Sequence, residues 1–217
     1  MLPLDFIPLA EESGLIIPLG EWVLREAIRQ CKEWQNAGLP YVRMAVNISA
    51  EQFKLSNMTN LVRKILNEAK LDPEYLEIEI TESVLISNTD VIRVINELKK
   101  MGVKIALDDF GTGYSSLGYL KKLPLDKLKI DKTFIDSITN SDGESAISKA
   151  IISIGKNLKL DILAEGVETK NQANFLMQHH CDAVQGFYFS KPLTSKELET
   201  LLRTCPDIEL SQVTSPT

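Results

Sequence analysis

Polar side chains that could do chemistry follow six separate apolar runs in this chain of 217 residues. The set is made of acids, amides and one lysine: Asn47, Glu79, Asp108, Asp109, Lys129, Asp131, Glu165, Glu168 and Gln185. If the runs are parallel strands, their carboxyl ends meet on one face, where active sites are built. Carboxylate and amide oxygens, without His or Cys, favour Mg²⁺ or Mn²⁺ over Zn²⁺. The sequence therefore predicts a metal site of hard oxygen ligands, and adjacent carboxylates in it could serve a pair of metals.

The elements that must position these residues are short β-branched runs alternating with amphipathic, helix-spaced stretches. The predicted strands are residues 42–48, 76–80, 103–107, 127–130, 160–164 and 183–189. This alternation without a linker predicts parallel βα units and favours a (β/α) barrel over an open doubly wound sheet. A closed barrel needs eight strands, so the expected fold is an α/β, (β/α)8 TIM-barrel-like domain, N-terminally incomplete, with about six βα units.

Composition excludes several classes of protein. The net charge is −6, with 30 acidic residues against 24 basic ones and no basic block, so electrostatic binding of nucleic acid is not expected. No apolar run approaches the ~20 residues that cross a bilayer, so no membrane segment is expected in this chain. The three widely spaced cysteines are typical of core hydrophobes in a reducing compartment. A cytoplasmic location is therefore expected, although a longer protein containing this chain could be membrane-tethered.

A structural interpretation of the acidic residues stays open at this stage. A single Asp or Glu after a strand is most often a helix N-cap or a solvated rim residue, and this applies to Asp131 and Glu168 taken alone. Polar groups that recur at every strand end are harder to explain in that way. The recurrence therefore favours a functional site over a set of unrelated caps.

Several segments resemble one known family when they are compared in order. Residues 108–116, with the sequence DDFGTGYSS, resemble the loop of EAL-domain cyclic di-GMP phosphodiesterases. Other segments similar to that family are NIS at 47–49, EITES at 79–83, KID at 129–131, EGVE at 165–168, QGFYFSKP at 185–192 and FIPLAE at 6–11. The resemblance covers about residues 3–203. We therefore expect an EAL-type phosphodiesterase domain at 1–204, truncated at its N-terminus, and a polar tail at 205–217.

The resemblance implies a reaction and roles for particular residues. The implied reaction is metal-dependent hydrolysis of one phosphodiester of cyclic di-GMP, giving linear pGpG, with two Mg²⁺ or Mn²⁺ ions. The implied metal ligands are Asn47, Glu79, Asp108, Asp109 and Glu165. Lys129 and Glu165 are the implied catalytic residues, with Lys129 positioning or helping to deprotonate the attacking water. The remaining implied contacts, which orient water, Lys129 or substrate, come from Asp131, Glu168 and Gln185.

The resemblance also implies partners and leaves an alternative function open. A homodimer is expected through the region Phe110 to Ser116, and sensory or GGDEF-type domains are expected N-terminal to this chain in the full-length protein. The Glu-Ala-Leu segment of the family, which supplies a metal-ligand Glu and a substrate-contacting Arg, is absent from this sequence. The alternative is therefore a catalytically inactive cyclic di-GMP-binding or regulatory module. The retained site residues favour the enzyme.

Overall fold

The computed structural model describes residues 3–54, 57–87, 90–111, 117–138 and 145–204. The chain divides into two compact units, residues 1–105 and 106–217. Six strands lie within the described ranges, as the sequence predicts. Across those same ranges, no helix combines the length and the apolar character needed to span a membrane. The predicted polar tail at 205–217 lies outside the described residues.

The first unit is built around two parallel strands and the start of a third. Its elements are α1 (Pro3–Glu12), α2 (Ile16–Asn36), β1 (Met44–Asn47), α3 (Ala50–Phe53), α4 (Met58–Ala69), a 3-10 turn (Pro73–Tyr75), β2 (Leu76–Thr81), α5 (Glu82–Ser87) and α6 (Asp90–Met101). Strand β1 pairs with β2 in a register that sets Met44 opposite Leu76 and Asn47 opposite Glu79. Every residue of β2 from Leu76 to Ile80 is buried, which is typical of parallel strands covered on both faces.

Helix α1 is an element that the sequence pattern does not predict. Pro3 opens it, which costs no hydrogen bond because the first N–H groups of a helix have no partner within it. Pro8 lies inside the helix, and proline in a helix interior normally disfavours that conformation. The low helix propensity of proline therefore argues against a helix here, yet the folded chain forms α1 over this segment.

The second unit continues the repeat of strand and helix. Its elements are the part of β3 (Lys104–Phe110) after Ile105, then α7 (Leu117–Leu120), β4 (Lys127–Ile130), α8 (Lys132–Asp136), α9 (Ala146–Asn157), β5 (Asp161–Ala164), α10 (Lys170–Gln178), β6 (Ala183–Val184) and α11 (Ser195–Thr204). Strands β3, β4, β5 and β6 pair in parallel in the order of the chain. This sequential order is that of a (β/α) barrel, since a doubly wound sheet reverses its order at a switch point.

The last strand is shorter than the sequence predicts. The pattern predicts a strand over 183–189, but β6 ends at Val184 and residues 187–189 form a turn. The backbone at Gly186 packs against Val167 so closely that a Cβ there would lie 2.2 Å from the Val167 carbonyl oxygen. The N–H groups of Phe189 and Ser190 then donate to the Gly186 carbonyl, which turns the chain away from the sheet.

Hydrophobic packing fixes the strands of the second unit beneath the polar residues that follow them. Leu128, Ile130, Ile162 and Ala164 are fully buried. Helix α10 begins at the predicted capping box, in which the Thr169 hydroxyl accepts from the N–H of the third helical residue. The strand ends are therefore held on a rigid base, as a precise site requires.

Candidate active site

A buried lysine lies between two carboxylates in the second unit. Lys129 Nζ is 3.0 Å from Asp108 Oδ2 and 2.8 Å from Glu165 Oε1. The Lys129 side chain is only 5% exposed, against 11% for Asp108 and 20% for Glu165. Ions taken out of water to this extent need close partners, and here each has one. We call Asp108, Lys129 and Glu165, together with the adjacent Asp109, the Lys129 cluster.

Backbone pairing between strands brings this cluster together. Lys129 lies opposite Leu163 in the register of β4 and β5. Glu165 directly follows β5, and its N–H donates to the Ile130 carbonyl at 3.1 Å. The ladder therefore continues for one residue past β5 and holds Glu165 beside the end of β4.

Asp109 has an unusual backbone at the end of β3. Its φ is +55°, in the left-handed region, where residues other than glycine cost roughly 1 kcal/mol. The pairing of β3 with β4 shifts register between Leu107 and Phe110, and the Asp109 N–H donates to Asp108 Oδ1 at 3.0 Å. Irregularities of this kind re-aim side chains and are frequent beside active sites. Here the irregularity contains both consecutive carboxylates.

The Lys129 cluster carries more negative than positive charge. It holds three carboxylates and one ammonium group. Burial raises the pKa of Asp109, and the nearby carboxylates of Asp108 and Asp131 raise it further, whereas Lys129 lowers it. An acid whose pKa is raised by its neighbours lies in a region of uncompensated negative potential. A cation bound there would be stabilised by that potential.

Two of the predicted orienting residues have identifiable partners. Gln185 Nε2 donates to Glu165 Oε1 at 3.0 Å, so this carboxylate oxygen accepts from an amide as well as from Lys129. Asp131 is the N-cap of α8, where its Oδ1 accepts from the Thr133 N–H at 3.0 Å. The Asp131 carboxylate therefore has a structural role, in addition to its effect on the pKa of Asp109.

Glu168 lies at the edge of a cavity of about 510 Å³ in the second unit. Its Oε1 accepts from Lys132 Nζ at 2.7 Å, and its backbone N–H donates to Gln172 Oε1, in the first turn of α10, at 2.8 Å. Glu165, Gln185 and Phe187 also line this cavity, and Phe187 is 60% exposed. The cavity therefore opens directly beside the Lys129 cluster.

The predicted site residues of the first unit form a pair of their own. Asn47 and Glu79 lie opposite each other in the register of β1 and β2. Asn47 Nδ2 donates to Glu79 Oε2 at 3.0 Å, and Glu79 is buried. This bond fixes both side chains at the carboxyl ends of their strands.

The candidate ligand atoms are suited to a hard cation by their chemistry. Within the described ranges, no group of three or more His, Cys, Asp or Glu residues is placed to hold a metal ion. Lys129 itself lies between two of the predicted ligands. The potential ligands are carboxylate and amide oxygens, and the pKa of Asp109 is raised first by burial and then by the carboxylates of Asp108 and Asp131. The residues therefore fit Mg²⁺ or Mn²⁺ by their chemistry, and the assignment of individual ligands stays a prediction.

Sequence reasoning did not single out the two lysines that line the cavity, Lys132 and Lys191. Lys132 lines the cavity and follows Asp131 at the start of α8. The available signal was the spacing of two lysines three residues apart, Lys129 and Lys132. Of the predicted dimer region, the structure describes Phe110 and Gly111, and residues 112–116 lie outside the described ranges.

The chain is similar to known proteins of one family. The EAL domain family model matches residues 1–192. The bifunctional diguanylate cyclase/cyclic di-GMP phosphodiesterase MucR of Pseudomonas aeruginosa is 46% identical over 197 residues, covering 90% of this chain and 29% of MucR. The cyclic di-GMP phosphodiesterase NbdA of the same organism is 45% identical over 202 residues, covering 93% of this chain and 26% of NbdA. The chain thus spans between a quarter and a third of the length of these relatives.

Solved structures agree with the sequence comparison. The structure of the PaMucR phosphodiesterase in complex with c-di-GMP matches with a TM-score of 0.87 and 44% identity. The match covers 91% of this chain and 81% of that one. It confirms the predicted α/β, TIM-barrel-like class of fold. Together with the family model, which spans most of the sequence, it shows that the chain belongs to the EAL domain family.

Proposed function

We propose that this protein is a phosphodiesterase that hydrolyses cyclic di-GMP to linear pGpG with Mg²⁺ or Mn²⁺. The names of MucR and NbdA, and the bound ligand in the PaMucR structure, support the substrate. The observation that carries the proposal is the buried Lys129, held between Asp108 and Glu165. A module that only binds the nucleotide has no need of a buried ion pair at the reacting phosphate.

The proposed reaction replaces one ester bond by water. The water oxygen forms a bond to phosphorus, and the bond from phosphorus to the ribose 3′ oxygen breaks. The water loses one proton, and the departing 3′ oxygen gains one, leaving a 5′ phosphate on the linear product. Bound metal ions would supply charge neutralisation at the phosphate and lower the pKa of water.

The residues of the Lys129 cluster have distinct roles in this proposal. Lys129 is the positively charged group that positions the attacking water and stabilises charge developing on the phosphate oxygens. Glu165, which accepts from both Lys129 and Gln185, holds that ammonium group in place and contributes a metal ligand. The other ligands would be Asn47, Glu79, Asp108 and Asp109.

The orienting residues act on the edges of the site. Gln185 fixes the Glu165 carboxylate by its hydrogen bond. Asp131 adds negative potential at Asp109, and Glu168 borders the cavity in which we place the nucleotide. Fixing these groups before substrate binds is what makes such a site effective.

The proposal also includes the further domains, the homodimer and the location of the full-length protein. The relatives are three to four times as long as this chain, and MucR is named as bifunctional, which supports further sensory or GGDEF-type domains in the full-length protein. The homodimer through Phe110 to Ser116 and the cytoplasmic location stay predictions.

The experiment follows pGpG release by chromatography, with Mg²⁺, with Mn²⁺ and with EDTA. It uses the 217-residue chain and the same chain preceded by the Glu-Ala-Leu-containing segment of MucR. We expect the extended chain to be active with either metal, EDTA to abolish activity, and the chain alone to be slow or inactive. In the extended chain, Lys129→Met should reduce kcat at least about 100-fold, whereas Lys196→Met, on the exposed face of α11, should not. No turnover in either form would contradict the proposal, as would full activity of Lys129→Met.

A further inference from the structure

Lys132 lies at the edge of the cavity, where its side chain packs over a glycine. Its aliphatic stem lies across Gly166, where a Cβ would be 2.4 Å from Lys132 Cγ and 2.7 Å from Lys132 Cβ. Gly166 also has a φ of +68°, which residues with a side chain rarely adopt. The loop after β5 therefore takes a glycine at the point where the lysine stem crosses it. This brings the Lys132 ammonium to Glu168, and both residues line the cavity.

Within the described part of the chain, the partners of the Lys132 ammonium group are two exposed carboxylates. Its Nζ is 2.7 Å from Glu168 Oε1 and 3.1 Å from Asp136 Oδ1. The side chains of Lys132, Glu168 and Asp136 are 45%, 46% and 51% exposed. Ion pairs at this exposure contribute little to stability, because water solvates each ion nearly as well. Lys132 can therefore exchange a carboxylate for another anion at low cost.

The charges that line the cavity indicate which kind of anion Lys132 would bind there. Among the described lining residues, the acids are Glu165 and Glu168 and the bases are Lys132 and Lys191. A phosphodiester entering this cavity meets repulsion from the two carboxylates. An ammonium group that leaves Glu168 for the phosphate reduces that repulsion and forms a charge-assisted hydrogen bond.

We propose that Lys132 is a substrate-binding residue, whose ammonium group moves from Glu168 to a phosphate oxygen of the nucleotide when it enters the cavity. This inference rests on the proposed cyclic di-GMP phosphodiesterase function and adds a phosphate contact that is separate from the Lys129 cluster. Lys132 takes no part in bond breaking. Its loss therefore weakens binding and leaves the chemical step unchanged.

The test measures binding and turnover in the extended chain with three variants. Lys132→Met keeps the stem and removes the charge, Asp136→Asn removes one ion-pair partner while keeping the lysine, and Lys196→Met removes a lysine remote from the cavity. Calorimetric titration gives Kd for cyclic di-GMP in EDTA, where it is not hydrolysed, and for pGpG both in EDTA and in Mg²⁺. Steady-state kinetics give kcat and KM separately.

We expect Lys132→Met to raise both Kd and KM about tenfold, which is about 1.4 kcal/mol, with kcat within twofold of the parent. The dependence of Kd on NaCl concentration should also be smaller in this variant. Asp136→Asn and Lys196→Met should bind as the parent does. Equal loss in Lys132→Met and Asp136→Asn would show that the ion pair is only structural and would overturn the inference. If the parent is active and Lys132→Met has an unchanged Kd, the inference about Lys132 is overturned and the proposed function stands. If the parent neither binds nor hydrolyses the nucleotide, the proposed function is overturned together with the inference.

Discussion

Two lysines three residues apart allow the effect of burial on an ion pair to be measured in one protein. Lys129 and Lys132 each contact two carboxylates at 2.7 to 3.1 Å, but their side chains are 5% and 45% exposed. Replacing either lysine with Met keeps most of the apolar stem and removes the charge. The two substitutions therefore differ chiefly in the solvent around the charge that is lost.

The expected magnitudes follow from the same distances. At 2.8 Å, two unit charges interact by about 6 kcal/mol at an effective dielectric constant of ~20 and by about 1.5 kcal/mol in bulk water. Desolvation offsets most of this, and removing one partner of a buried pair costs roughly 3–5 kcal/mol. Because Glu165 is 20% exposed, we expect about 2–4 kcal/mol of lost unfolding free energy for Lys129→Met. For Lys132→Met we expect at most about 1 kcal/mol.

Urea denaturation followed by circular dichroism, in EDTA at about pH 7, measures both values. High NaCl should abolish the small effect of Lys132→Met and leave most of the effect of Lys129→Met. Equal effects of the two substitutions would refute the reasoning, since they would show that burial does not determine the strength of these pairs.

Two further predictions concern Gly166 and Cys181. Gly166→Ala should lower the unfolding free energy by roughly 1–3 kcal/mol, because the added Cβ would meet the Lys132 stem and the φ at this position is positive. The same substitution should weaken cyclic di-GMP binding as Lys132→Met does. An unchanged unfolding free energy in urea denaturation would contradict this prediction. Burial raises the pKa of Cys181 to about 11, so in a Cys205→Ser variant its thiolate fraction at about pH 8 should be roughly 100-fold lower than that of an ordinary thiol. Labelling should accelerate up to about pH 11, and rapid labelling at about pH 8 would contradict the prediction.

The buried ion pair also bears on the choice between an enzyme and a binding module. Lys129 and its two carboxylate partners together could be replaced by well-packed apolar residues with little loss of stability, although removing Lys129 alone is costly. The presence of this buried ion pair between Lys129, Asp108 and Glu165 is therefore better explained by chemistry than by folding. The kcat of Lys129→Met separates the two explanations.

The sequence alone determined the class of fold, and it predicted which residues form the site. Apolar runs alternating with helical spacing predicted six parallel strands, and the described residues contain six, because this signal is local and repeated. The polar residues after each run were recognisable for the same reason. The end of a strand is marked in the sequence, and the carboxyl ends of parallel strands converge whatever the details of packing.

Tertiary structure determined the burial of those residues and the partners that they contact. The alternation of Glu77 and Glu79 with apolar neighbours is typical of a half-exposed strand, yet both are buried because the sheet is covered on both faces. Local sequence could not show that Lys129 would be buried between carboxylates 21 residues before it and 36 residues after it. Nor could it show that Lys132 would lie across Gly166, because both depend on contacts between distant parts of the chain. The sequence gives the identity of each side chain, whereas its burial, the balance of charge around it and its distance from charged partners are set only when the strands pack together.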